Sequence, residues 1–256
     1  MEPQLSTLLV VCPLVFLAGL VDSIAGGGGI ISLPAYLFAG LPVHLAYGTN
    51  KFAMSSGTLI ATLKYARSGC IRWKPALCSV AGALIGSWCG AQLVIYLDEK
   101  YLKYSLLVIL PMVAAFLLFN RNFGRTNPER EATGPKLYLL AFAIGLLLGA
   151  YDGFIGPGTG TFLTLAFTGL LGFSLISASG NARVVNLASN VAALAAYILG
   201  GKVLFWLGIP AALCAIAGNY LGARAAVKRG ERFIRPVILL SVALLFVHMI
   251  LELTGK

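Results

Sequence analysis

Charge is what this chain has least of. Charged side chains make up 11% of its 256 residues, where soluble domains carry roughly 25%. Nine acids stand against nineteen Lys and Arg, and no acid at all lies between Asp22 and Asp98. That shortage excludes a sizeable soluble domain. Other absences narrow the reading further. The five cysteines form no CxxC pair, so a disulfide framework or a thiolate metal site is not expected. His44 and His248 stand alone, which argues for structural roles and no metal. No GxxxxGK[ST] or true GxGxxG is present, which leaves nucleotide binding unsupported and no cofactor implied. The N-terminus has no basic n-region, so its apolar run reads as a retained helix and not a cleaved signal.

What is there is apolar: 59% of the residues. Runs long enough to cross a bilayer need about 20 residues, fewer when interfacial side chains flank them. Ten apolar segments are read, at 6–22, 30–40, 48–66, 75–97, 102–119, 137–152, 159–172, 179–200, 204–226 and 233–251. The fold class expected is an all-α polytopic membrane protein with eight long transmembrane helices and two short ones, 30–40 and 159–172. The net charge of +10 is taken as loop charge that sets orientation, not as a nucleic-acid surface. Basic loops around 64–74, 121–136 and 224–235 are placed in the cytoplasm.

The chain repeats itself. An offset of 130 pairs Gly19 with Gly149, Asp22 with Asp152, Gly26 with Gly156 and Gly28 with Gly158. Further on the offset is 132, pairing Lys51 with Arg183, Tyr65 with Tyr197 and Gly86 with Gly218. Residues 1–120 form a first membrane repeat, 121–135 a cytoplasmic linker and 136–256 a second repeat. Five segments per half, with the loop charges, favour halves inverted relative to each other. Re-entry of the two short segments would instead make the halves parallel.

Each half carries one interruption. Gly costs about 1 kcal/mol in a helix interior relative to Ala, so Gly26, Gly27, Gly28 and Gly29 should unwind the helix that bears Asp22. Gly156, Gly158, Thr159 and Gly160 do the same after Asp152. Acid-bearing broken segments at matching places point to a transport site. Unwound backbone at such a site exposes N–H groups, and the short helices that follow point anion-favouring N-termini at it. The alternative is that the glycines only permit close packing. Asp22 and Asp152 are candidates to carry a proton. Capping of the freed N–H groups, or an interfacial position, are the other readings.

The third segment of each half adds the cations. Ser179, Arg183, Asn186 and Asn190 fall at i, i+4, i+7 and i+11, on one helical face; Lys51, Ser55, Thr58 and Thr62 share the spacing. Asn50 and Asn181 lie beside them. Two buried cations among amides and hydroxyls suit an oxyanion. The competing reading has Lys51 and Arg183 snorkelling to the interface.

The segment AGGGGIISLPAYLFAGLPVHLAYGTNKF and its diverged copy GPGTGTFLTLAFTGLLGFSLISASGNARVVNLASN resemble the sulfite exporter TauE/SafE family of membrane transporters. That resemblance implies a multi-pass permease of the bacterial inner membrane. It also implies a sulfur-containing anion as partner: sulfite, thiosulfate or an organosulfonate. The expectation is therefore a secondary transporter, not an enzyme, with lipid and a small oxyanion as partners and protons as candidate coupling ion. A passive anion channel is the first rival. A thiol enzyme or sulfur relay using Cys70 or Cys89 is the second; it would need an activated thiolate beside a His, and neither has one in sequence.

Overall fold

A computed structural model describes residues 5–98, 100–102, 133–234 and 236–238. All but the first residue of the expected segment 102–119, most of segment 233–251, most of the linker, and His248 lie outside these residues.

The described residues are helical, with no strand. Eight helices follow in order: α1 (Leu5–Ala25), α2 (Gly29–Phe38), α3 (Val43–Arg67), α4 (Trp73–Tyr96), α5 (Gly134–Phe154), α6 (Thr159–Gly169), α7 (Leu175–Leu199) and α8 (Phe205–Arg229). Five of them, α1, α4, α5, α7 and α8, are long and apolar enough to cross a membrane. α3 has the length, at 25 residues, but not the apolarity. Much of its polar face is turned inward: Lys51, Ser55, Thr58 and Thr62 are all buried. α2 and α6 are short, at 10 and 11 residues.

Two helix starts fall four or more residues earlier than the apolar pattern indicates. α3 begins at Val43 because Pro42, with φ −53° and ψ 143°, ends an extended turn and releases the chain into helix. α7 begins at Leu175 because Ser174 is an N-cap whose Oγ accepts from the Ser177 N–H at 3.4 Å. Both expected breaks are present but shorter: α1 runs on to Ala25 and α5 to Phe154, while Gly29 already opens α2 and Thr159 and Gly160 open α6. Gly26, Gly156 and Gly158 take φ of +88°, +90° and +84°, a region that L side chains rarely adopt.

Packing interleaves the two halves. α1 lies along α8, with Gly218 against Phe16 and Leu20 and Gly19 against Ala215 and Asn219. α4 lies along α5, with Gly82 against Phe142 and Leu146, Gly86 against Leu146 and Ala150, and Gly90 against Ala150 and Phe154. Matching numbers rise together in both contacts, so each pair runs parallel. These are seams of small residues where backbones touch, the usual means of helix association in lipid. α3 and α7 instead run antiparallel through the centre: Lys51 reaches Asn190, and Thr62 reaches the Arg183 carbonyl. Leu77, Leu139, Leu147 and Leu213 point outward, as an apolar belt facing acyl chains requires.

Candidate functional site

The two interruptions touch. Thr161 Oγ1 donates to the Ala25 carbonyl at 2.8 Å. A methyl group at Gly26 would overlap the backbone of Gly160 and Thr161, and one at Gly29 would stand 3.0 Å from Pro157 Cα. Glycine is needed at 26 for its backbone angle and for this approach. The α1–α2 and α5–α6 breaks therefore form one centre, with α3 and α7 crossing beside it.

At this centre the four charged side chains pair across the halves. Lys51 Nζ donates to Asp152 Oδ2 at 2.7 Å. Arg183 Nη1 donates to Asp22 Oδ2 at 3.2 Å and to the Asp22 carbonyl at 2.5 Å. Lys51 is 4% exposed, Arg183 0%, Asp22 3% and Asp152 2%. Those figures place all four side chains inside the protein and not on its surface. A bare charge at this depth costs several kcal/mol. Each carboxylate meets that cost by accepting from a cation of the other half.

Capping is the smaller part of the acids' role. The Gly28 N–H reaches Asp22 Oδ1 only at 3.4 Å. The second break is held differently: Tyr151 Oη donates to the Pro157 carbonyl at 2.7 Å, and Thr159 Oγ1 to the Gly156 carbonyl at 2.7 Å. Asp152 accepts in addition from Ser189 Oγ at 2.7 Å.

A polar cavity of about 30 Å³ lies among these groups, room for about one or two waters. Of the residues singled out in the sequence, Asp22, Gly26, Gly29, Asn50, Lys51, Asp152, Gly156, Gly160, Asn186 and Asn190 line it. Others stand outside that lining. Gly27 belongs to the turn, where its carbonyl accepts from the Ile30 N–H at 3.1 Å. Gly28 backs onto Ala18 and Asp22. Ser55 donates to its own helix at Lys51 O, and Asn181 to its own helix at Ser177 O. Gly158 is the left-handed cap of α6, and Thr159 follows it. Arg183 itself is absent from the lining but stands against Gly160.

Two participants escaped the sequence reading. Ser189 lies three residues beyond Asn186 on the polar face of α7, a spacing that could have found it. Met54 lines the cavity and carries no polar signal. Cys70 and Cys89 lie away from the cavity; Cys70 sits between α3 and α4, and Cys89 is exposed on α4.

The architecture defines a polytopic helical membrane protein with a buried, charge-paired polar centre between two broken helices. Comparison with known proteins gives that class its family. The sequence profile described as Sulfite exporter TauE/SafE matches residues 11–249, and the chain belongs to that family of membrane transporters. A protein of Escherichia coli (strain K12), named "Probable membrane transporter protein YfcA", is 33% identical over 240 residues, covering 94% of this chain and 88% of the relative. A Sinorhizobium sp. protein, named "Probable membrane transporter protein ORF9", is 37% identical over 234 residues, covering 90% and 87%. A probable membrane transporter of Haemophilus influenzae is 33% identical over 238 residues, covering 93% and 92%. No solved structure matches the chain.

Proposed function

We propose that this transporter is a secondary carrier of small sulfur-containing anions, such as sulfite, thiosulfate or organosulfonates, coupled to protons. The observation that carries the reading is the meeting of both helix breaks at a centre built from two cations and two carboxylates, closed around a small polar cavity. The sulfur chemistry rests on the family description.

Electrostatics supports proton coupling. Two cations and two carboxylates sum to no net charge. An anion entering this centre alone would leave an unbalanced buried charge, which is expensive in low dielectric. A proton on Asp22 or Asp152 removes that imbalance and releases a cation to the anion. The groups around Asp22 are Arg183, Lys51, Asp152 and the Gly28 N–H.

Alternating access follows from the same frame. On this reading residues 1–120 and 136–256 are inverted repeats joined by the cytoplasmic linker, with eight long helices and two short ones. The antiparallel crossing of α3 and α7, which occupy matching places in the two halves, supports that arrangement. The carrier performs no covalent chemistry.

The test is flux in proteoliposomes. Sulfite or methanesulfonate movement should follow an imposed pH gradient. Arg183→Gln should abolish it while the protein still inserts, and Asp22→Asn should flatten its pH profile. Unchanged flux in the Arg183 variant defeats the site assignment. Single-channel currents in place of saturable flux would make the protein a channel.

A further inference from the structure

The two ion pairs occupy matching places in the repeat, but they are not equivalent. The Lys51–Asp152 pair is satisfied. Lys51 Nζ also donates to Asn190 Oδ1 at 2.9 Å, and Asp152 Oδ2 also accepts from Ser189 Oγ at 2.7 Å. The Asp22–Arg183 pair is not. Nη1 alone makes both contacts to Asp22, while Nε and Nη2 have no hydrogen-bond partner among the described residues although the residue is fully buried. An unpaired buried donor is costly, and more so when it is charged. The fold leaves this cost standing at one cation and removes it at the other.

The unused atoms are well placed. Nε and Nη2 form one edge of the guanidinium, a two-pronged donor that matches two oxygens on one atom. Nη2 lies against Gly160, where any side chain would collide with it, and Gly160 also lines the central cavity. Thr62 on α3 holds the Arg183 carbonyl at 3.2 Å, which fixes the base of the side chain. Thr58, one turn earlier on α3, is buried with its Oγ1 also unpartnered among the described residues.

We propose that the Nε–Nη2 edge of Arg183 is the receptor for the anion, taking two of its oxygens as the Asp22 contact loosens, while Lys51–Asp152 stays paired as the clamp of the site. The inference rests on the transport reading and sharpens it. The substrates are anions with two or more terminal oxygens on one atom, such as sulfite and sulfonates, in preference to single-point anions such as thiocyanate. Asp22 is the intramolecular competitor that occupies the guanidinium when no anion is present.

The test uses the purified full-length protein, with methanesulfonate as probe and thiocyanate as control at constant ionic strength. Anion-dependent thermal shift reports binding, because a ligand stabilises the state it binds. Asp22→Asn removes the competitor and should bind methanesulfonate more tightly, by about tenfold. Asp152→Asn should show no such gain. Arg183→Lys keeps the charge but lacks the two-pronged edge, and should lose the preference for methanesulfonate over thiocyanate. Equal gains from Asp22→Asn and Asp152→Asn overturn the proposal, as does an Arg183→Lys variant that retains the preference. Should Arg183→Lys fail to fold, the comparison of the two Asn variants decides alone. Wild-type proteoliposomes without anion flux would overturn the transport reading. Flux in wild type together with equal gains in the two Asn variants would overturn only this inference.

Discussion

Arg183 and Asp22 are 161 positions apart in the chain and meet at 3.2 Å in its interior, each almost wholly shielded from solvent. Lys51 and Asp152 repeat the relation at 2.7 Å with the halves exchanged. Each half supplies one acid and one base to this centre, and each acid is paired with the base of the other half. The charged centre therefore forms only when both halves are in place.

Removing one partner of a buried pair leaves an unbalanced charge and costs about 3–5 kcal/mol. Lys51→Met and Asp152→Asn should each destabilise the protein by roughly that amount. The double variant should be less destabilised than the two losses added together, because no lone charge remains. Reversible unfolding of the four proteins in detergent checks this. Strict additivity would show that the 2.7 Å contact contributes nothing.

The helix seams make a second prediction. A Cβ at Gly86 would overlap the Leu146 carbonyl on α5, which is backbone and has no rotamer to yield. Gly86→Leu should separate α4 from α5 and cost about 1–3 kcal/mol or more. Gly69 is the control. It has nothing within 4 Å of an added Cβ and only its φ of +69° to satisfy, so Gly69→Ala should cost about 1 kcal/mol. Melting temperatures in detergent should rank the two in that order.

Cys70 sits between α3 and α4, outside the spanning helices, and burial pushes its thiol above the ordinary cysteine range. The reactive thiolate is thus scarce at neutral pH. In a variant with Cys70 as sole cysteine, maleimide labelling should be slow near pH 7 and should keep rising beyond about pH 8.5, where free cysteine is half ionised. A labelling midpoint below that of free cysteine would reverse the assignment and revive a thiol chemistry.

Replacing all five cysteines should leave anion flux within about twofold of wild type, since none of them lines the cavity and a thiol away from it packs as a small apolar side chain. Proteoliposome flux measures it. Loss of transport with the fold intact would favour a sulfur relay.

The sequence by itself determined that this is a helical membrane protein, because too few charges and too many apolar residues leave no other stable partition of the chain. It also marked both helix breaks, since closely spaced glycines beside a lone acid cannot continue an apolar helix cheaply. The polar faces of α3 and α7 were legible from i, i+4 spacing. Met54 was not, because an apolar residue in an apolar helix carries no signal.

Tertiary structure alone decided who neutralises whom. Periodicity gives the face of a helix but not its neighbour, and the repeat offsets align Lys51 with Arg183 without saying that each would reach an acid in the opposite half. Only the interleaving of the halves, with α1 on α8 and α4 on α5, brings Asp22 to Arg183 and Asp152 to Lys51. The physical reason is that a buried charge must find its counter-charge wherever packing places one, and packing here joins residues more than a hundred positions apart.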